Sequence, residues 1–120
     1  MKTKFSIVIC TYNRCKILEI CLNSVALLEQ HDGFDYEVLI VDNNSGDNTR
    51  ETAETFVAAL PETLRSKWSY HHETRQGLSH ARNRGIAESR GDWLVFLDDE
   101  CELEPDWLTR GHRIVKDKGP

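Results

Sequence analysis

No apolar run in this 120-residue chain approaches the length needed to cross a bilayer. The N-terminal stretch MKTKFSIVIC also lacks the long apolar segment and cleavage site of a secretory signal. The expected location is therefore cytoplasmic. Basic residues are in deficit, with 15 Lys and Arg against 20 Asp and Glu and a net charge of −5. Without a basic surplus the chain cannot neutralise a phosphate backbone broadly, which argues against nucleic acid as a partner. Cys10, Cys15, Cys21 and Cys101 form no C-x-x-C pair, so the usual zinc spacing is missing and free, mostly buried thiols are expected. Internal repeats, low-complexity tracts and linkers are absent too. A single domain over 1–120 is the expectation.

What is present reads as a soluble globular protein, with 39% hydrophobic and 29% charged residues. Phe5 to Cys10 forms an apolar, β-branched strand, and Thr11-Tyr12-Asn13-Arg14 a polar turn after it. Leu18, Cys21, Leu22, Val25 and Leu28 then recur at helical spacing. Tyr36 to Val41 is a second strand, followed by the polar loop Asp42 to Asp47. Asn48 and Glu51 have capping-box spacing, before a helix with Ala53, Phe56, Val57 and Leu60 on one face and Pro61 as its stop.

Trp68 to His72 is a weaker strand, nearer an edge. Gly77 opens a third helix with Leu78, Ala81 and Ile86 turned inward and Gly91 as its stop. Gly85 inside that helix costs about 1 kcal/mol against alanine, which points to close packing. Trp93 to Leu97 is an unbroken apolar run that suits a strand buried on both faces. It ends in Asp98-Asp99-Glu100, and Glu104-Pro105-Asp106 restarts a helix. The β-α-β-α-β-α-β-α order predicts an α/β fold with a mostly parallel, doubly wound sheet flanked by helices.

Parallel strands bring the three polar clusters, Thr11–Arg14, Asp42–Asp47 and Asp98–Glu100, to one sheet edge, where open α/β sheets bind ligands. The first βα turn has no G-x-G-x-x-G and no Walker lysine, so a nucleotide there needs side chains and a metal. Asp98 and Glu100, two apart, point the same way if the strand continues, and could hold a hard cation whose shell phosphates complete.

FSIVICTYNR, EVLIVDNNSGDNT, GLSHARNRGIAESRGDWLVFLDDE and EPDWL resemble, in this order, the Rossmann-like nucleotide-sugar-binding half of family 2 glycosyltransferases, which have the GT-A fold. The resemblance covers nearly the whole chain. Full members are roughly twice this length by that resemblance, so the acceptor-binding half is expected to be absent and the unit truncated. An apolar edge where it would dock follows.

The resemblance implies nucleotide contacts from Thr11, Tyr12 and Arg14, base or ribose recognition by Asp42, and diphosphate binding by Arg82. It also aligns Asp98-Asp99-Glu100 with a D-x-D motif. Asp98 would face ribose or metal, Asp99 would support the site, and Glu100 would coordinate Mg²⁺ or Mn²⁺. Glutamate at the last position departs from the family pattern and moves the carboxylate by a methylene.

The implied reaction is inverting, metal-dependent transfer of a sugar from a UDP-, GDP- or dTDP-sugar to a hydroxyl of a glycan, lipid or protein. Peripheral association at the inner face of the membrane is left open. The general base lies outside this chain by the same resemblance. Two other readings stand beside it: a non-catalytic nucleotide-sugar-binding module, and, more distantly, a phosphoacceptor domain using Asp98 or Asp99. The first strand end, Ile9-Cys10-Thr11, lacks the acid that the phosphoacceptor fold would place there.

Overall fold

In the computed structural model, which describes residues 2–118, four parallel strands alternate with five helices. The strands are β1 (Thr3–Thr11), β2 (Phe34–Asp42), β3 (Trp68–His72) and β4 (Trp93–Asp98). The helices are α1 (Cys15–Ala26), α2 (Thr49–Ala58), α3 (Glu62–Arg65), α4 (Leu78–Glu88) and α5 (Trp107–Lys118). The sheet order is β3-β2-β1-β4, every pairing is parallel, and β3 lies at one edge as expected.

Side-chain alternation in the two central strands sorts the layers. Phe5, Ile7 and Ile9 of β1 pack with Tyr36, Val38 and Ile40 of β2 under α1, whose Leu18, Cys21, Leu22 and Val25 are fully covered. Ala53 of α2 and Leu108 of α5 join the same core. Val8 and Val41 face the opposite way and meet Ala81 of α4. A Cβ on Gly85 would fall 2.5 Å from Val8 Cγ1, so this residue is glycine because α4 lies directly on the strand.

Several local expectations are corrected. α2 is not capped by Asn48, whose side chain makes no capping bond; Asp47 Oδ1 instead accepts the Thr49 N–H at 3.0 Å and the Thr49 hydroxyl. Pro61 does not simply end α2 but precedes the short α3, an element absent from the sequence reading. In α4 only Ala81 of the three expected inward residues is buried; Leu78 and Ile86 are exposed, because the helix is too thinly apolar to cover the sheet widely. Gly91 lies beyond the end of α4 at Glu88 and beyond its C-cap Ser89. Its backbone crosses β1 closely, and a Cβ there would sit 2.6 Å from Ser6 Oγ. α5 begins at Trp107, two residues after Pro105.

The largest difference concerns β4. Its apolar run is buried on one face only: Leu97 is covered, whereas Leu94 and Phe96 are 38% and 41% exposed. β4 is an edge strand, and α4 packs over β1 and β2 without reaching across it. Continuous hydrophobicity cannot tell which neighbour covers a strand. Leu94 and Phe96 thus leave apolar surface exposed along β4.

Strand order also fixes where a ligand can sit. The chain steps from β1 to β2 to β3 in one direction, then crosses through α4 to β4 on the other side of β1. The carboxyl ends of β1 and β4 therefore flank the topological switch point, the usual crevice of an open α/β sheet.

Candidate functional site

A cavity of about 490 Å³ opens at that switch point. Cys10, Thr11, Tyr12 and Arg14 line it from the end of β1, and Asp98, Asp99 and Glu100 from the end of β4. Asn43, Gln76 and Gly77 close the side nearer β2, with Leu78 and Ala81 of α4 as the apolar wall. The structure thus brings together six of the expected site residues: Thr11, Tyr12, Arg14, Asp98, Asp99 and Glu100.

The acidic triplet is arranged by a turn. The Cys101 N–H returns to the Asp98 carbonyl at 3.0 Å, so the extended backbone stops at Asp98 and does not carry on to Glu100. The strand-alternation premise fails here, yet Asp98 and Glu100 are both exposed and both line the cavity. Asp99 is buried instead. Its Oδ2 accepts the Thr11 hydroxyl at 2.9 Å, and Arg14 Nη1 approaches its Oδ1 at 3.4 Å. Arg14 also lies 3.8 Å from Glu100 Oε2, so one half-exposed guanidinium offsets part of the triplet's charge. Three carboxylates in a row repel one another, and a cation among them lowers that cost.

Cys10 senses the same charges. Burial pushes its thiol up to about 11, opposed by Arg82 and reinforced by Asp98 and Asp99. That shift disfavours the reactive thiolate at neutral pH. Arg82 does not line the cavity; it is exposed on α4 with its guanidinium carbon 6.0 Å from the centre of the Phe96 ring.

Asp42 does not line the cavity and is only 1% exposed. Its Oδ2 accepts the Tyr70 hydroxyl at 2.6 Å and its Oδ1 the Ser45 N–H at 3.0 Å. Burial first, and then that bond to Asp42, push the Tyr70 phenol well above its ordinary value. His72 Nδ1 is buried without a hydrogen-bond partner and lies 4.0 Å from Asp42 Oδ2.

Two asparagines in left-handed backbone conformation join the loops. Asn13 (φ 50°) accepts the Gly46 N–H at 2.7 Å and donates its own N–H to Ser45 Oγ at 2.9 Å. Asn44 (φ 62°) makes the corresponding bend after β2. Asparagine tolerates this region better than most side chains. Asn13 is thereby a loop hook.

Sequence reasoning missed Asn43 and Gln76. The only signal was position: both flank special turns, one after β2 and one before Gly77, whose φ of 127° disfavours any side chain.

Among the described residues no three His, Cys, Asp or Glu side chains form a group that could hold a metal ion by themselves. Two exposed carboxylates beside an open cavity do match the way Mg²⁺ or Mn²⁺ is held through one or two carboxylates plus ligand phosphates. The donor set fits such a metal, provided a ligand completes the shell.

A parallel doubly wound sheet, with carboxylates and a mixed polar and apolar cavity at its switch point, is the layout of a ligand-binding α/β domain. Residues 6–119 match the family model described as Glycosyl transferase family 2, and the chain belongs to that family. It is 37% identical over 116 residues to glycosyltransferase AglE of Haloferax volcanii, covering 95% of this chain and 36% of that protein. It is 38% identical over 117 residues to a PGL/p-HBAD biosynthesis glycosyltransferase of Mycobacterium bovis, covering 97% of this chain and 43% of the other.

Among solved structures, a mannosyltransferase of Pyrobaculum calidifontis in complex with GDP-Man and Mn²⁺ matches with a TM-score of 0.84 at 22% identity, over 96% of this chain and 33% of that one. TarS of S. aureus in complex with UDP matches with a TM-score of 0.80 at 23% identity, over 98% of this chain and 32% of that one. These likenesses establish a GT-A-like fold. The chain spans 36% and 43% of the length of the two curated relatives.

Proposed function

We propose that this chain is the donor-binding part of a glycosyltransferase that moves a sugar from a nucleotide-diphosphate sugar to an acceptor hydroxyl. The observation that carries this reading is that exposed Asp98 and Glu100 line one cavity together with Tyr12, Asn43 and Gln76. A linear donor with a charged centre and a flat heterocyclic end suits that polarity.

In this reading Asp98 and Glu100 hold Mg²⁺ or Mn²⁺ together with the donor's phosphate oxygens. When bound, the metal supplies charge neutralisation on the departing diphosphate and a template for it. The chain's own residues do the remaining work. Tyr12, half-exposed at the cavity, offers an aromatic face to the nucleoside. Thr11 and Arg14 fix the buried Asp99, and Arg14 is free to turn from Glu100 toward a phosphate once a cation takes its place. Arg82 reaches the diphosphate by leaving its seat on Phe96. Asp42 contributes through its loop, holding Ser45 and Tyr70 behind the nucleoside.

Inversion at the anomeric carbon needs a base to take the acceptor proton. Beyond the acidic triplet, no carboxylate or histidine lines the cavity among the described residues. That observation favours a second reading for the isolated chain: a nucleotide-sugar-binding module without turnover. The acceptor, whether glycan, lipid or protein, belongs on this account to residues outside the chain. On this reading the chain works in the cytoplasm or at the inner face of the membrane, and no helix among the described residues is long and apolar enough to cross it.

Calorimetric titration with UDP, GDP, dTDP and their sugars, with and without Mn²⁺, tests the proposal. Metal-dependent binding of at least one nucleotide is expected, and a folded chain that binds none contradicts it. Sugar transfer or donor hydrolysis by the same chain separates the two readings.

A further inference from the structure

The side-chain amide of Gln76 has its orientation imposed by its neighbours. Its Nε2 donates to the Asn43 carbonyl at 3.1 Å and to the Asn44 carbonyl at 3.2 Å. Only the NH₂ end of an amide can satisfy two carbonyl acceptors, so Oε1 must point the other way. Among the described residues that oxygen has no hydrogen-bond partner, and Gln76 lines the cavity.

The turn carrying Gln76 is held on both sides. Asn43, itself buried, donates from Nδ2 to the Arg75 carbonyl at 2.7 Å and accepts the Gly77 N–H on Oδ1 at 2.9 Å. Its backbone N–H donates to the Thr11 carbonyl at 2.9 Å, which ties the hub to the end of β1. On the far side Glu73, also buried, accepts the Arg75 N–H at 2.9 Å. An exposed glutamine is thus presented with little freedom to rotate.

Its place along the cavity selects which part of a ligand it meets. β2 lies two strands from β4, about 10 Å at ordinary strand spacing. A diphosphate held at Asp98 and Glu100 leaves the β2 side for the nucleoside. Asp42, the acid expected to read base or ribose, is only 1% exposed and accepts from Tyr70 and Ser45, whereas Gln76 is exposed on this wall with an Oε1 unpaired among the described residues.

We propose that Gln76 is a specificity-determining residue whose amide oxygen accepts the ring N–H of a uracil-, thymine- or guanine-type base, with Asn43 as the residue that positions it. The inference rests on the donor-binding reading above. Cytosine and adenine present a bare ring nitrogen at the corresponding edge and would set acceptor against acceptor. A site that pairs a ligand N–H rejects the analogue lacking it, because its own polar group is then left unpaired.

The test is calorimetry on the full 120-residue chain with Mn²⁺. The ligands are inorganic pyrophosphate, the tighter of UDP and GDP, and that nucleotide methylated on its ring nitrogen. Wild type should bind the unmodified nucleotide about tenfold tighter than the methylated one, the worth of one such hydrogen bond. Gln76→Ala, an exposed substitution, should bring that ratio near one while leaving pyrophosphate binding unchanged. Asn43→Ala should shrink the ratio in the same direction.

Equal wild-type affinity for the methylated and unmodified nucleotides overturns the inference. So does a Gln76→Ala variant that loses pyrophosphate and nucleotide affinity alike. A wild type that binds neither pyrophosphate nor any nucleotide overturns the donor-binding reading itself, and this inference with it.

Discussion

The Thr11 hydroxyl donates to Asp99 Oδ2 at 2.9 Å, joining the end of β1 to the turn after β4 across 88 residues of sequence. Asp99 is buried, so the middle acid of the triplet acts as an anchor while its two neighbours face the cavity. Thr11→Val removes the donor and leaves a buried carboxylate oxygen unpaired. The expected cost is about 1–3 kcal/mol in urea denaturation, with Thr11→Ser recovering most of it. Unchanged stability in Thr11→Val would show that Asp99 is held by other means.

Gly85 and Val8 make the contact that seats α4 on the sheet. Gly85→Ala places a methyl 2.5 Å from Val8 Cγ1, far inside van der Waals contact. Destabilisation of about 1–3 kcal/mol is expected despite alanine's better helix propensity. Because the clash is with one side chain, Val8→Ala should offset part of it in the double variant. A double-mutant cycle reads the coupling directly, and strict additivity would contradict the account.

The α5 helix is locked to the sheet by a histidine. His112 packs 5.2 Å from Phe34 and 5.7 Å from His31 between ring centres, with Phe5 at 6.5 Å. Burial holds its imidazole below the ordinary value, and His31 and Lys116 add repulsion in the same direction. His71 is lowered by burial too, against the pull of Glu88. Both rings bind protons less readily in the folded chain than in the unfolded one. Their contribution is therefore present above the ordinary imidazole pKa of about 6.5 and is lost as pH falls through it toward the lower folded values. Urea midpoints measured from pH 8 to pH 5 should fall, and His112→Phe should flatten part of that slope. A slope unaltered in His112→Phe would remove His112 from the explanation.

Much of the fold was legible because two periodicities dominate it. β1 and β2 are short apolar runs that bury both faces, and α1 repeats its apolar residues at helical spacing. β4 read as equally buried because its sequence is equally apolar; only the lateral placement of α4 decides that Leu94 and Phe96 stay uncovered. Leu78 and Ile86 failed for the same reason, since periodicity identifies a helix face and not how far its partner extends.

At the site, the acidic triplet and the Thr11–Arg14 turn announced themselves by following strands. Asn43 and Gln76 did not, because their importance lies in hydrogen bonds between segments more than thirty residues apart. Charge alone also hid the division of labour within the triplet. The resemblance gives Asp99 a supporting role, but the partner it turns to, Thr11, is not readable from the triplet itself.

The most direct test compares Mn²⁺-dependent UDP and GDP binding by the wild-type chain with that of Asp98→Ala and Glu100→Ala. Both residues are exposed, so each variant should keep its fold and melting behaviour. The account predicts tight, metal-dependent binding by wild type and a loss of at least about tenfold in each variant, the scale of one charge-assisted contact. Nucleotide binding by wild type that is indifferent to Mn²⁺ and to both substitutions would contradict it.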